Sequence, residues 1–337
     1  MTTGNVSLNE SGWNFLKNSL GEEHLNVSLA AGDASFRRYF RVRSQSQSWI
    51  LMDAPPAREN SQPFVDIARF LRHHGVPVPN LQAIRLEEGF LLLEDFGDTT
   101  YLKALDAGEA ALPLYEKAVD ILLDIQATPV DDTCIAHRRP FDRAMLRQEM
   151  ALLTDWYIEG ILQRPISPED RTRFDTAFHS LLDGILEQPV VFVHRDYHSR
   201  NLMWLGDGVG VLDFQDAVMG PVTYDLASLL RDCYVAWDAD FRQTIAQRWL
   251  TAAGERLGYR PNAQQFSKDL EWMSIQRNLK AVGIFGRLSL RDGKHGYLND
   301  IPRTLTYVRD NLQRHPQLEL LQQLLDTYLP ADWGKMA

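Results

Sequence analysis

Cysteine and positive charge are both scarce in this sequence. Only Cys134 and Cys233 occur, far apart and in no metal-ligand spacing, so neither a disulfide framework nor a cysteine metal motif is present. We expect both to be buried packing residues. The 35 Lys and Arg are outnumbered by 45 Asp and Glu, which gives a formal net charge of −10. That balance does not favour nonspecific binding to nucleic acid or to an anionic membrane.

Long apolar runs are absent as well. No stretch approaches the ~18 consecutive apolar residues of a membrane span, and the first ten residues carry neither a basic cluster nor an apolar run. We therefore expect a cytoplasmic protein with a small-molecule substrate and no nucleic-acid, membrane or protein partner. The 337 residues, 45% hydrophobic and 24% charged, have an ordinary globular composition and suffice for about two domains.

The first third of the chain has the pattern of short strands around one helix. Phe64, Ile67, Phe70 and Leu71 repeat at helical spacing, and Gly75 is the stop. Alternating and apolar runs bounded by turn residues predict a small antiparallel sheet, whose last two strands form a hairpin. The predicted strands cover residues 36–42, 49–52, 81–86 and 90–94.

After residue 98 the pattern becomes that of amphipathic helices and stays so to the end, except at 190–214. The sequence thus predicts an α+β fold with two lobes. The first, 1–95, is a small antiparallel sheet with one main helix. The second, 96–337, is larger and mostly helical, and a hinge at 94–98 joins the two.

The segment 188–216 is the most informative part of the chain. Its short apolar runs predict strands at 190–193, 202–205 and 209–212, with a hairpin turn between the last two. If that turn is centred on Asp207, Asn201 and Asp213 face each other across the hairpin. Opposed residues on one face have Cβ atoms about 4.5–5.5 Å apart. The hairpin therefore predicts two oxygen ligands for one cation.

Mg²⁺ prefers such oxygen ligands and is usually held by one or two carboxylates together with waters and substrate phosphates. Asp196 precedes Asn201 in the loop that leaves the first strand, so it would lie beside the metal. A carboxylate there can accept a hydroxyl proton. One Asp for the attacking hydroxyl, with one Asn and one Asp for the metal, is the division of roles in kinase-type phosphoryl transfer.

The motif HRDYHSRN at 194–201, followed by DF at 213–214, resembles the catalytic and metal-binding loops of the kinase-like superfamily. It is most similar to the aminoglycoside phosphotransferase and choline kinase branch. The resemblance implies ATP and Mg²⁺ as cofactors, Asp196 as the catalytic base, and Asn201 and Asp213 as metal ligands. Too few residues follow Asp213 for an activation loop, and no Ala-Pro-Glu appears, which favours a small-molecule acceptor.

Within that branch, GDASFRRYFRV at 32–42 and DFQDAVMGPVTYDLASLLRDCY at 213–234 resemble the sugar kinases of cell-wall recycling. The likeness extends over most of the chain. It implies a protein-kinase-like fold and ATP-dependent phosphorylation of the anomeric hydroxyl of N-acetylmuramate and N-acetylglucosamine in peptidoglycan recycling.

The sequence departs from the kinase pattern at the phosphate-binding residues. No lysine occurs between residues 17 and 103, and Met52 stands about where the phosphate-pairing lysine of the third strand is expected. Either Glu59 or Asp66 would be the helix carboxylate that orients a basic partner. Three arginines alternate along one strand and are candidates to replace the lysine, unless they are solvated surface charges. They are Arg37, Arg41 and Arg43.

The remaining nucleotide-binding residues are predicted from a short glycine loop and from the lobe junction. Backbone N–H groups of the loop would cradle phosphate. The loop consists of Gly32, Asp33, Ala34 and Ser35. The junction would hydrogen-bond adenine through its backbone, unless it is a plain loop exit. It consists of Glu94, Asp95 and Phe96.

The acceptor pocket is expected in the helical lobe, because sugars need aromatic planes together with fixed polar partners. The alternative is a helix core with surface charge. The candidates are Asp142, Arg143, Glu149, Trp156, Tyr157, His198 and Arg231. Beside Asp196, His194 and Arg195 are predicted to support the loop, although Arg195 could instead bind phosphate.

Three other functions remain open at this point. An aminoglycoside kinase would use the same catalytic residues on a polycationic acceptor. A hydrolase would use His194-x-Asp196-x-His198 as metal ligands, with Asp213 as a further one. A nucleotide-binding pseudokinase would explain the missing lysine, but it would not explain why Asp196, Asn201 and Asp213 all occur together.

Overall fold

The computed structural model describes residues 8–22, 24–32 and 36–335. Its N-terminal part contains β1 (Asn26–Gly32), β2 (Arg38–Arg43), β3 (Ser48–Asp53), β4 (Leu81–Arg85) and β5 (Phe90–Glu94). These form one antiparallel sheet in the order β1-β2-β3-β5-β4. The predicted antiparallel sheet and its β4–β5 hairpin are confirmed.

The predicted helix is α2 (Gln62–His73), which has Pro63 in its first turn. Its apolar face is buried against the sheet face that carries Met52 and Leu91. The chain leaves the helix through Gly75, whose φ of 80° favours glycine. The predicted helix is therefore present and packs on one face of the sheet.

A second helix that the sequence prediction missed covers the opposite face of the sheet. This is α1 (Glu10–Leu20), which begins at the N-cap Asn9 and ends at Gly21. Its buried residues Phe15 and Leu16 pack with Phe40, Leu51 and neighbouring residues. The sheet needs apolar cover on both sides because each of its faces carries apolar side chains, Met52 and Leu91 on one and Phe40 and Leu51 on the other.

The rest of the chain is mostly helical, as predicted. Its helices are α3 (Tyr101–Asp106), α4 (Ala111–Gln126), α5 (Arg143–Leu152), α6 (Pro168–Ile185), α7 (Tyr224–Leu230), α8 (Ala239–Arg256), α9 (Ala263–Asp292), α10 (Ile301–Leu312) and α11 (Glu319–Tyr328). Shorter 3₁₀ turns are Ile135–Arg138, His295–Asp300 and Pro316–Leu318, and Leu153–Ile161 is a π-helix.

The long helix α9 lies at the centre of this part and makes close contact with the π-helix. A Cβ at Gly283 would lie 2.3 Å from the carbonyl carbon of Leu152, and one at Gly286 would lie 2.9 Å from the carbonyl oxygen of Trp156. Glycine is therefore required at both positions for the two backbones to approach. This contact fixes the position of α9, which carries Lys280 to the candidate site.

Four short strands carry the informative segment: β6 (Val190–Val193), β7 (Leu202–Trp204), β8 (Val209–Val211) and β9 (Val218–Pro221). The β7–β8 hairpin is confirmed. The pairing of β6 with β9 was not predicted, because a run that contains Met, Gly and Pro has little strand character.

The predicted hinge at 94–98 falls in the connection between β5 and α3. One hydrophobic cluster contains Met52 from the sheet together with Leu226 and Trp249 from the helical part. The two halves therefore share core packing, and the boundary between residues 95 and 96 stays a prediction.

Both cysteines are free thiols and buried, as predicted. Burial raises the pKa of Cys134 and of Cys233. Within residues 8–22, 24–32 and 36–335, none of the helices has the length and apolar composition of a membrane span.

Candidate active site

The loop that follows β6 is held in shape by a buried carboxylate at the start of α7. The backbone N–H groups of His194 and Arg195 donate to Asp225, at 2.7 Å and 3.0 Å. Arg195 has a φ of 80°, an unusual conformation for a non-glycine residue. Burial raises the pKa of Asp225 to about 6, although its hydrogen bonds favour the charged form. The sequence analysis did not assign this role.

A second buried carboxylate holds the other end of the loop. Asp232 accepts hydrogen bonds from the backbone N–H groups of Ser199, at 2.9 Å, and Tyr234, at 2.8 Å. Asp225 lies in the first turn of α7, and Asp232 follows just after the end of the same helix. The loop 194–201 is thus fixed at both ends by residues that come later in the chain.

His194 joins the loop to the β7–β8 hairpin. One ring nitrogen lies 2.9 Å from the carbonyl oxygen of Leu212, and the other lies 3.3 Å from the backbone N–H of Asp196. The first nitrogen therefore donates and the second accepts, which requires the neutral ring. Burial lowers the pKa of His194, consistent with that form. This geometry supports the predicted bracing role.

The Asp196 carboxylate lies opposite a buried lysine from α9. Lys280 Nζ is 3.8 Å from Asp196 Oδ1, and the Asp196 side chain is 40% exposed while Lys280 is buried. Burial would raise the pKa of Asp196, but the positive charges of Lys280 and Arg195 outweigh it and lower that pKa. Asp196 is therefore ionised at neutral pH and is accessible to an acceptor.

Lys280 is itself held by two side chains of the helical part. It lies 3.5 Å from Glu149 Oε1 and donates to the hydroxyl of Tyr224 at 3.1 Å. Glu149 also pairs with Arg195 and accepts from Gln276 at 3.1 Å. Glu149, predicted as a sugar contact, is instead a buried anchor for the two cations beside Asp196.

Asn201 and Asp213 do converge, although the predicted register of the hairpin is wrong. Leu202 pairs with Val211, which places Asn201 opposite Leu212 rather than Asp213. Asp213 has a φ of 65°, and this turn brings its carboxylate back toward the amide. Asn201 Nδ2 lies 3.3 Å from Asp213 Oδ2 and donates to the Asp196 carbonyl at 2.9 Å.

The donor set at this point fits Mg²⁺. It offers one carboxylate, one amide oxygen and room for water and phosphate, the mixture that Mg²⁺ usually takes. Asn201 and Asp213 are the residues that would hold it. In the described residues no cluster of three His, Cys, Asp or Glu suits a metal. Both ring nitrogens of His194 are occupied, which argues against the hydrolase reading.

A cleft of about 390 Å³ runs from Asn201 and Asp213 to the connection between the sheet and the helices. Its walls are apolar on both sides, as in sites for flat ring systems. The sheet contributes Ala30, Tyr39, Ile50 and Leu93, and the helical part contributes Met203, Leu212 and Phe214. The predicted hinge residues Glu94, Asp95 and Phe96 line the same cleft.

Arg41 is used at this connection rather than at phosphate, which corrects its predicted role. Its Nε donates to Asp95 at 2.7 Å, its Nη1 donates to Asp98 at 2.7 Å, and its Nη2 donates to the carbonyl of Gly97 at 3.0 Å. All three guanidinium nitrogens are therefore engaged. Arg41 fixes the connection that forms one end of the cleft.

Arg37 remains as the phosphate-binding candidate, with Glu59 beside it. Arg37 Nη2 lies 3.3 Å from Glu59 Oε2, and both side chains are largely buried. Asp66, the other candidate carboxylate, accepts instead from Gln62. Met52 is fully buried. Gly32 ends β1, and the predicted loop residues Asp33, Ala34 and Ser35 lie outside the described residues.

Most of the predicted acceptor residues lie elsewhere. Asp142 is the N-cap of α5, and Arg143 forms an exposed pair with Asp183. Trp156 contributes its carbonyl to the close contact with Gly286. These residues are helix caps, surface charges and packing groups, because their polar pattern on helices does not show which face meets the cleft.

Two further candidates are buried in other surroundings. Tyr157 lines a separate cavity with Trp333. Arg231 is buried beside Tyr307, with its guanidinium carbon 5.4 Å from that ring, and burial lowers its pKa to about 10.

His198 does lie in the site, next to an aromatic residue that the sequence analysis missed. Its ring meets the ring of Tyr234 edge-on, with centroids 5.3 Å apart. Burial lowers the pKa of His198 to about 4, so the imidazole is neutral at pH 7. The guanidinium carbon of Arg200 lies 3.6 Å from the centroid of the same Tyr234 ring.

Comparisons with known proteins agree with this architecture. Residues 26–261 match the model of the "Phosphotransferase enzyme family". An N-acetylmuramate/N-acetylglucosamine kinase from Pseudomonas aeruginosa is 42% identical over 88% of this chain and 86% of that protein. The protein of the same name from Pseudomonas putida is 40% identical over 92% of this chain and 91% of its own.

Solved structures show the same fold at low identity. An ethanolamine kinase from Plasmodium vivax has a TM-score of 0.64 at 12% identity and covers 92% of both chains. An ADP-bound aminoglycoside phosphotransferase, APH(2″)-Ib, has a TM-score of 0.58 at 15% identity and covers 93% of this chain and 99% of its own. The predicted protein-kinase-like fold is confirmed.

The chain belongs to the phosphotransferase enzyme family. Its fold and family define a kinase that acts on a small molecule, and among its relatives are bacterial amino-sugar kinases. The predicted resemblance and enzyme class are thereby confirmed.

Proposed function

We propose that the protein is an ATP-dependent kinase that phosphorylates the anomeric hydroxyl of N-acetylmuramate and N-acetylglucosamine. The observation that carries this proposal is the match of 36–42% identity to three kinases with these substrates in their name. ATP as donor is supported by the ADP and ATP complexes of structural neighbours. The site supplies the groups that such a reaction needs.

Asp196 is the catalytic base in this proposal. The anomeric oxygen attacks the γ-phosphorus, the bond from that phosphorus to the bridging oxygen breaks, and ADP leaves with the electron pair. The hydroxyl proton passes to the Asp196 carboxylate, which is ionised and exposed to the acceptor. Lys280 keeps the carboxylate ionised until the hydroxyl becomes acidic in the transition state.

Asn201 and Asp213 hold Mg²⁺ against the phosphates. Bound there, the ion would neutralise charge on the β- and γ-phosphates. Arg37 contacts phosphate from the sheet side, and the apolar cleft takes the adenine ring. The hydrogen bonds of Asp225 and Asp232 fix the loop, so that these groups are positioned before substrate arrives.

The test is turnover with a panel of acceptors. Purified protein, MgATP and either amino sugar should release ADP, and ³¹P NMR should locate the phosphorus on the anomeric oxygen. Asp196→Asn should lower kcat by about 10²–10⁴-fold while ATP still binds, as measured by calorimetry. Asp207→Asn, in the exposed hairpin turn, is the matched control.

An aminoglycoside kinase is the competing outcome of the same assay. Such acceptors are polycations, and the exposed Arg200, which lines the cleft, opposes their binding. Phosphorylation of a kanamycin-type compound in preference to both amino sugars would refute the proposed substrate.

A further inference from the structure

Arg200 occupies a distinctive position in the active site. It lies in the catalytic loop between Asp196 and Asn201, is exposed, and lines the cleft. Its guanidinium carbon lies 3.6 Å from the ring centroid of Tyr234 and 5.8 Å from that of Tyr297. Stacking on aromatic rings restricts the side chain and leaves the hydrogen-bonding edge of the guanidinium available.

The other cations near Asp196 are already engaged. Arg195 pairs with Glu149, and Lys280 is held by Glu149 and Tyr224. Arg277 is buried and donates to the carbonyl of Arg231. Each of these charges is therefore committed to the protein interior.

Arg200, in contrast, makes no hydrogen bond or ion pair with any residue in the described part of the chain. Asp300 lies near enough to feel its charge without forming an ion pair. An unpaired, exposed and stacked guanidinium in the lining of the cleft is the arrangement of a group that binds an anionic ligand.

The two proposed acceptors differ by one anionic group. N-acetylmuramate is N-acetylglucosamine with a lactyl ether on the 3-oxygen, and that ether ends in a carboxylate. An enzyme that accepts both needs a shared pocket for the ring and a separate cation for the carboxylate. The neutral His198 and the ring of Tyr234 suit the uncharged part, and Arg200 is the exposed cation next to them.

We propose that Arg200 binds the lactyl carboxylate and so determines the preference for N-acetylmuramate, an inference that rests on the proposed function. The planar guanidinium matches a carboxylate with two parallel hydrogen bonds. The competing role is contact with the transferred phosphate, since Arg200 also lines the nucleotide cleft. Its position over Tyr234 and Tyr297, which belong to the helical part, favours the acceptor.

The experiment compares KM and kcat for both sugars at saturating MgATP. Arg200→Gln should raise the KM for N-acetylmuramate by about 10-fold or more, the loss expected for a charge-assisted hydrogen bond. Its KM for N-acetylglucosamine should change less than about 2-fold, and kcat should stay unchanged for both sugars. Arg200→Lys keeps the charge and loses the planar guanidinium, so its KM for N-acetylmuramate should lie between those of the wild type and Arg200→Gln. Arg248→Gln, at an exposed ion pair on α8, is the matched control and should behave as wild type.

Retained turnover of N-acetylglucosamine shows that Arg200→Gln is folded. An equal loss of kcat/KM for both sugars in Arg200→Gln and Arg200→Lys would overturn the carboxylate assignment. It would indicate that Arg200 contacts the transferred phosphate. If the wild type phosphorylates both sugars but Arg200→Gln leaves both KM values unchanged, this inference fails while the proposed function stands. If the wild type phosphorylates neither sugar, both fail.

Discussion

Lys280 on α9 and Asp196 in the loop 194–201 form a contact of 3.8 Å between a buried ammonium and an accessible carboxylate. The two residues are far apart in sequence and come together through the packing of α9 under the loop. Lys280 outweighs the effect of burial and lowers the pKa of Asp196. The lysine thus sets the pH range over which the carboxylate can accept a proton.

Lys280→Met should move the acid limb of the pH–rate profile to higher pH. Without the ammonium, burial raises the pKa of Asp196, so the carboxylate becomes protonated at a pH where the wild type is still ionised. kcat measured from pH 5 to 8 checks this, with folding verified by circular dichroism. The control is Lys268→Met. Lys268 is also on α9 but lies near Glu187, 4.0 Å away, so this variant should leave the pH–rate profile unchanged. A loss of kcat by the same factor at every pH would contradict the role of Lys280 in lowering the pKa of Asp196.

Asp213→Asn should raise the Mg²⁺ concentration needed for half-maximal activity by about 10-fold or more, because Mg²⁺ binds carboxylates more strongly than neutral amides. The variant keeps the shape of the side chain. A Mg²⁺ titration at fixed ATP measures the change. The control Asp207→Asn, in the turn of the same hairpin, should need the same Mg²⁺ concentration as the wild type. If Asp213→Asn gave the same Mg²⁺ curve as this control, Asp213 would not be a metal ligand.

Asp225→Asn should lower the free energy of unfolding by about 1–3 kcal/mol, because an NH2 donor replaces one of the two oxygens that accept from the buried N–H groups. The pKa of Asp225 is about 6 in the folded protein, above its ordinary 3.8. Between pH 3.8 and 6 the folded protein keeps the Asp225 proton, whereas the unfolded chain has released it. The contribution of Asp225 to stability therefore falls as pH rises to 6 and is constant above that pH.

The deficit of Asp225→Asn relative to wild type should therefore be larger near pH 4 than at pH 7. Urea denaturation at both pH values measures it. Asp240→Asn, at an exposed position on α8, is the control. A deficit that grows with pH would contradict the raised pKa.

Arg37→Gln should raise the KM for ATP by about 10-fold and leave the KM for the sugar unchanged, because Arg37 is the candidate cation on the phosphate side of the cleft. Glu59→Gln should have a smaller effect in the same direction, since Glu59 orients the guanidinium from 3.3 Å. Steady-state kinetics with ATP varied at saturating sugar measures both. Arg43→Gln, at the exposed end of β2, is the control.

Local pattern was sufficient for the strands β2 to β5 and for α2, because turn residues and periodicity lie close together in sequence. The motif spacing also selected residues 196, 201 and 213, which the fold brings together. It was insufficient for the hairpin register, which depends on the positive φ of Asp213. The sequence pattern did not predict α1, although the helix has an N-cap at Asn9 and a C-cap at Gly21. Its apolar residues do not form a repeat long enough to indicate a helix.

The acceptor side of the site was the least predictable part. Asp225, Asp232 and Lys280 act through tertiary contacts, and no local pattern shows that a carboxylate on α7 will meet a backbone N–H thirty residues earlier. Glu149 was selected for its charge and proved to be buried. Side-chain chemistry alone does not reveal which face of a helix meets the cleft.

The anchoring of the loop by Asp225 and Asp232 also has a consequence for biosynthesis. The backbone donors of His194, Arg195 and Ser199 cannot reach their carboxylate partners until the chain through residue 232 has left the ribosome. A fragment that stops before that point contains every motif residue of the loop, yet it lacks the groups that give the loop its shape.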